Sequence, residues 1–431
     1  MSQKRKQKQA KQVKRKNQRA QHAPKRPPSI EQVAYEIVAG AAEPLLGDDP
    51  VDAEIVASEV MASVHAQRVG MTAEQLEAVP SAAVSVIALL RDAFSGEGEV
   101  LDAALALTLA LWSMAPADLE LAGEAAQLAE RLRGSGAQDP VWASDIGTYE
   151  ITECWLLRDV WCGQQDIVIG FRDTRGMEHS VSVLCLQDAG FQIAEINVSV
   201  PIGEFVQRVT SSLATDPARE MTVLERIDSK RACGLVGTAL DATRTEGAEA
   251  LLESDMGIDH VGLLESRWAR LAELPRVDIW ETAPLRTELD DLELHDLERR
   301  LWNSPEREAE PGATRAAADE LAAWVVHAGV AVWFAQFGPD QAEEFLLDDA
   351  APAAFGATDL EERITSTLAA ARAWARLTNA AARLPDAALT ATLQCIDELA
   401  EPFAAIARGD EGETDVEEPA DADVVEGEPT R

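Results

Sequence analysis

Apolar residues first recur at helical intervals just after residue 28. Ile30, Val33 and Ile37 fall on one stripe, and Ser29 with Gln32 has capping-box spacing, so a helix is predicted to start there. Asp49 ahead of Pro50 marks a second start, because the missing proline N–H costs nothing in a first turn. "TAEQLEAV" repeats the box with Thr72 and Gln75. Two further stripes, Leu101, Leu105, Trp112 and then Leu121, Leu128, Leu132, precede "RGSGAQDP". Residues 29–138 thus read as a helical bundle.

After Trp142 the period changes to two. "YEITECWLLRDV", "DIVIGFR", "HSVSVLCLQ" and "FQIAEINV" are rich in β-branched and aromatic residues and are joined by short links. Links of that length fit an antiparallel meander, since a parallel sheet needs long crossovers. A four-stranded meander closed by a helix from Ile202 to Leu213 is expected over 141–215.

Helical spacing returns over 217–408. Thr358 and Glu361 have capping-box spacing ahead of Ile364 and Leu368. Leu389, Leu393, Ile396 and Phe403 mark a last helix, with Pro402 as a kink and Gly409 as its stop. The loop "NSPEREAEPGAT", 303–314, is placed to divide this region. The expected fold class is mainly α with a small antiparallel α+β module: helical bundle, meander plus helix, second helical bundle. No solenoid-type repeat is seen.

Two apolar runs bear on the membrane question. "LDAALALTLALWSMA", 101–115, is shorter than the roughly 20 residues of a span, and "LAAWVVHAGVAVWFAQF", 321–337, sits near the lower limit of about 17. Both read as buried helices, and no membrane association is expected.

Charge changes the picture at both ends. Lys4, Arg5, Lys6, Lys8, Lys11, Lys14, Arg15, Lys16, Arg19, Lys25 and Arg26 crowd the first 26 residues, and the first acid is Glu31. The rest of the chain holds 27 of the 38 basic residues against all 76 acidic ones, a balance of −49. Residues 409–431 carry ten acids and no periodic apolar position, so residues 1–28 and 409–431 are expected to be disordered tails of opposite sign. With 46% hydrophobic residues, the middle is ordinary globular sequence. Lys230 is the single lysine outside the arm; that preference for Arg, with much Ala, suggests a bacterial origin.

An apolar h-region does not follow the basic start, which argues against export. Five cysteines without a CxxC pair fit free thiols in a reducing cytoplasm.

Candidate chemistry is sparse. The arm has the composition of a polyanion-binding segment, displacing counterions from phosphates without reading bases; RNA, a ribosome or DNA would be the partner. It has no aromatic residue for base stacking. The alternative is that it pairs with the acidic body or tail, giving autoinhibition or self-association.

Cys154, Cys162, His179 and Cys185 gather metal-capable types in the β module, but the close pairs of a structural zinc site are missing, so they read as core residues. His327, among Trp324, Val325 and Val326, reads as a packed histidine. Asp255, Asp259 and His260 lie on an acidic stretch without the alternation of a calcium loop, and His295 sits in an exposed charged helix. An enzyme with a pocket near the β module would gather those three residues in one cleft. "CGLVGTAL", 233–240, is a weak glycine signal with no phosphate-binding lysine, and GxSxG, Walker, dinucleotide and HExxH patterns do not occur. No catalytic residue, metal ligand or cofactor is assigned. The leading expectation is a non-enzymatic binding or adaptor protein acting through the arm.

Overall fold

The computed structural model describes residues 29–66, 81–114, 119–186, 191–246, 258–270, 289, 292, 294–327 and 337–409. The basic arm, Thr72 with Gln75, and the acidic tail after Gly409 lie outside the described residues. The chain divides into two compact units, Met1–Gly147 and Thr148–Arg431.

The first unit is helical: α1 (Ile30–Gly40), α2 (Pro50–Ala66), α3 (Ala82–Ala93), α4 (Glu99–Met114) and α5 (Leu119–Gly134). Ser29 Oγ accepts from Gln32 N at 3.2 Å, so the N-cap forms as expected. The reciprocal half of the box does not: the Gln32 side chain donates forward to Glu36 at 2.8 Å. Asp49 caps the next helix by accepting from Val51 N at 3.0 Å. The apolar run 101–115 becomes α4, which is buried on nearly every side because α1, α2, α3 and α5 all pack on it. Trp112 departs from its predicted stripe and is 44% exposed. None of the described helices is long and apolar enough to cross a membrane.

The second unit is built on a sheet of β1 (Tyr149–Asp159), β2 (Gln164–Asp173), β3 (Glu178–Leu186), β4 (Gln192–Ser199) and β5 (Thr222–Ile227), in the order β4-β3-β2-β1-β5. All pairings are antiparallel. The expected meander is present, and the helix α6 (Ile202–Leu213) has the predicted ends. The count of four strands is corrected to five. β5 is a six-residue edge strand containing Glu225 and Arg226, whose charges hide the alternation of Val223 and Ile227; only its pairing along β1 makes it a strand. α6 carries the chain from the β4 edge toward the β5 edge. A Cβ on Gly170 of β2 would meet Thr152 Oγ1 at 2.6 Å and Ile202 Cγ2 at 2.8 Å, so glycine there permits α6 to seat.

The opposite face of the sheet is covered by α7 (Ser229–Glu246) and α8 (Ile258–Arg270). "CGLVGTAL" is an interior stretch of α7, not a phosphate loop: Gly237 lies so close to Trp268 of α8 that a Cβ would meet its ring at 2.3 Å. The helices α9 (Leu294–Trp302), α10 (Arg315–His327), α11 (Pro339–Glu343), α12 (Leu360–Ala382), α13 (Asp386–Glu398) and α14 (Ala400–Arg408) follow. They share a core that includes Leu321, Phe345, Trp374 and Phe403. Only residues 321–327 and Phe337 of the second apolar run are described.

Two helix boundaries differ from expectation. α12 starts at Leu360 behind Asp359, one residue later than the Thr358 box requires, and Glu361 instead takes Arg408 of α14 at 2.8 Å. The last predicted helix is split at Leu399 into α13 and α14, which places Pro402 in a first turn, where proline fits, instead of at a mid-helix kink. Gly409 ends α14 in the left-handed conformation, φ 73°, as expected.

Candidate functional site

The site is built at one end of the sheet by the turn joining β1 to β2. Cys154, Leu156 and Arg158 alternate in β1 and are all buried, so Arg158 occupies a core position of the strand. Asp159 then closes the turn by accepting from Gly163 N at 3.2 Å and Gln164 N at 2.7 Å. Trp161 and Gly163 of this turn face a cleft of about 440 Å³. Its floor is the sheet surface of Leu157, Asp166 and Leu184, and its far wall is the start of α11 with Asp340 and Gln341.

Burial pushes the Asp166 carboxyl up to about 6, helped by Glu195 and opposed by hydrogen bonds from Ser182 and the Val183 amide. The Asp159 carboxyl is also raised, first by burial and lastly by Asp340, against the three backbone amides it accepts. A carboxyl titrating near 6 can hold or release a proton close to neutrality. Three carboxylates against the one guanidinium of Arg158 make the lining favour cations over anions.

The metal-capable residues of the β module are not gathered. Cys154 faces Cys233 of α7, while His179 stacks on Phe171 with ring centroids 5.4 Å apart and meets the Tyr149 ring edge-on. Arg267 of α8 covers the Tyr149 ring at 3.7 Å. Burial, and then the charge of Arg267, push the His179 imidazole down to about 3, and its Nε2 is buried without a partner. No group of three or more His, Cys, Asp or Glu able to hold a metal is found among the described residues.

Of the acidic trio proposed for a cleft, Asp255 and the Asp259 side chain lie outside the described residues; His260 is half-buried on α8. The His327 side chain also lies outside them. His295 is exposed on α9 beside Glu298, as expected. The eleven arm cations, Lys4 to Arg26, lie outside the described residues as well.

No family model, curated protein or solved structure matches this chain. Its chemistry is therefore argued from its own residues. Sequence reasoning passed over Arg158, Asp166 and Arg267. Arg158 carried a signal: in "TECWLLRDV" it stands in phase with Cys154 and Leu156, so a charge falls where the alternation calls for a core residue. Asp166 and Arg267 carried none, because their surroundings come from β3, β4 and α8.

Proposed function

We propose that the chain is a non-enzymatic binding or adaptor protein whose basic arm contacts nucleic acid or a ribonucleoprotein through phosphates. One observation carries this reading: eleven cations in the first 26 residues, with no acid, precede a body of net charge −49. Among the described residues, many of the body's own cations are committed. Arg133, Arg172, Arg363, Arg372 and Arg408, for example, are ion-paired with acids of the same fold. An acidic body repels phosphate and so confines contact to the arm, which supplies affinity without sequence readout.

Binding of bulk RNA and duplex DNA to the full chain, across a salt series, tests this against a variant with all eleven arm cations replaced by Gln. The expected result is binding whose log affinity falls with log salt by as much as about 0.9 per phosphate contacted, and its loss in the variant. Equal binding by both proteins, or none by either at low salt, would refute it.

A further inference from the structure

The cleft at the β1–β2 turn has the volume of a small-molecule site, and close packing gives it its shape. Gly338, just ahead of α11, lies against Trp161: a Cβ there would meet the indole Cγ at 2.7 Å, so glycine lets the ring seat on the backbone as one wall. The place of a Cβ on Gly163 is 3.6 Å from Asp159 Oδ2, 3.6 Å from Gln341 Nε2 and 3.8 Å from Asp340 Oδ2. Carboxylates of two elements, the turn and α11, therefore converge beside one backbone position. Gln341 is fixed there because its Oε1 accepts from Gly338 N at 3.0 Å, which leaves its Nε2 on the Gly163 side.

The floor sets the chemistry. Asp166 stands between Leu157 and Leu184 of the adjacent strands, an acid in an apolar row. Ser182 and the Val183 amide donate to its carboxylate, yet its Oδ1 is buried without a partner. A buried acceptor left without a donor costs about 1–3 kcal/mol, and more when it is charged. Asp159 is occupied by amides of its own turn, which leaves Asp166 and Asp340 to face a ligand. Arg158 is committed as well, since its Nη1 donates to the Asp159 carbonyl at 3.3 Å and to Cys162 Sγ at 3.5 Å. The donor set does not suit a metal ion, because no group of three or more His, Cys, Asp or Glu able to hold one occurs among the described residues. Carboxylates on floor and wall, an indole and two leucines suit instead a cation rich in N–H donors and carried on an aliphatic stem.

We propose that this cleft binds a small organic cation, an amine or guanidine on an aliphatic stem, with Asp166 and Asp340 as its anionic contacts and Trp161 as its aromatic wall. The site is independent of the basic arm. Its occupancy is linked to protons: the charged groups around Asp166 are Arg158 and Asp159 of β1, Glu195 of β4 and Asp340 of α11, and the Asp166 carboxyl, at about 6, is an anion for the ligand only above that pH.

Calorimetric titration of the full chain with agmatine, which has an amine and a guanidine on one stem, tests the site. One saturable site is expected, weakened at least about tenfold in Asp166→Asn and in Asp340→Asn, and losing affinity as pH falls through about 6. Glu401→Gln, which removes an exposed acid of α14, should leave it unchanged, because the cleft and not the net charge holds the ligand. No saturable binding at millimolar agmatine, or an equal loss in Glu401→Gln, overturns the proposal. An affinity that Asp166→Asn leaves in place overturns it too. Asp166→Asn removes a charge that disfavours the fold at neutral pH, so it decides the matter even where Asp340→Asn does not fold.

Discussion

At the scale of single residues, the second unit contains two ionisable groups with opposite effects on stability. His179 is neutral in the fold, pushed down to about 3, against about 6.5 for a free imidazole. The folded form therefore resists a proton that the unfolded chain accepts. Stability is untouched above roughly pH 6.5 and falls as pH drops toward about 3, by at most about 1.4 kcal/mol per pH unit. In urea titrations, His179→Phe should remove this loss, leaving a wild-type-minus-variant difference that grows only below pH 6.5. A difference independent of pH would show that the imidazole takes up its proton equally in the folded and unfolded states. Asp166 runs the other way. Raised to about 6 from an ordinary value near 3.9, it disfavours the fold above pH 6 and is neutral in its effect near pH 4. Asp166→Asn should therefore gain about 1–2 kcal/mol at neutral pH and nothing in acid, measured by the same denaturation series. Neither group was legible in the sequence, because His179 owes its shift first to burial and then to Arg267 on α8, and Asp166 to burial and then to Glu195 on β4. Arg158 was half legible, since its phase in β1 marked it as inward-facing while nothing in the sequence named Cys162 as its partner.

At the scale of elements, glycines separate close approach from mere tolerance. Gly170 has Thr152 and Ile202 against the place of its Cβ, so Gly170→Ala should cost about 1–3 kcal/mol by displacing α6. Gly123, inside α5, has nothing within 4 Å, and Gly123→Ala should instead stabilise by up to about 1 kcal/mol through helix propensity. Thermal or urea unfolding of the two variants checks the contrast; equal effects would mean that the fit of α6 on the sheet is loose. Most elements were readable from periodicity alone, as α1, α4, α6 and the strands of the meander show. The failures have local causes. β5 is short and charged, and its pairing along β1 cannot be read from six residues. The Thr358 box failed because Glu361 serves Arg408, 47 residues along the chain, in place of a backbone N–H nearby.

At the scale of the molecule, charge dominates. A body of −49 repels itself, and screening relieves that repulsion. Raising salt from about 0.05 to about 0.5 M should lift the melting temperature of the full chain even as it weakens polyanion binding, since the Debye length falls from about 14 Å to about 4 Å. A melting temperature that falls with salt would mean that the native ion pairs outweigh the net repulsion. The opposed salt dependences of stability and binding distinguish an arm that works outward from one that neutralises its own body.

The order of residues by itself determined the class of the fold, the placement of most helices and strands, and the separation of charge, because periodicity and composition are local properties. Tertiary structure alone decided the fifth strand, the split of the last helix, and the chemistry of the β1–β2 turn. Those depend on which groups the folded chain brings together, and the energy of a buried charge is set by that company: Arg158 is an ordinary arginine in the sequence and becomes a buried guanidinium beside Asp166 and Asp340 only once β1 is covered and α11 closes the cleft.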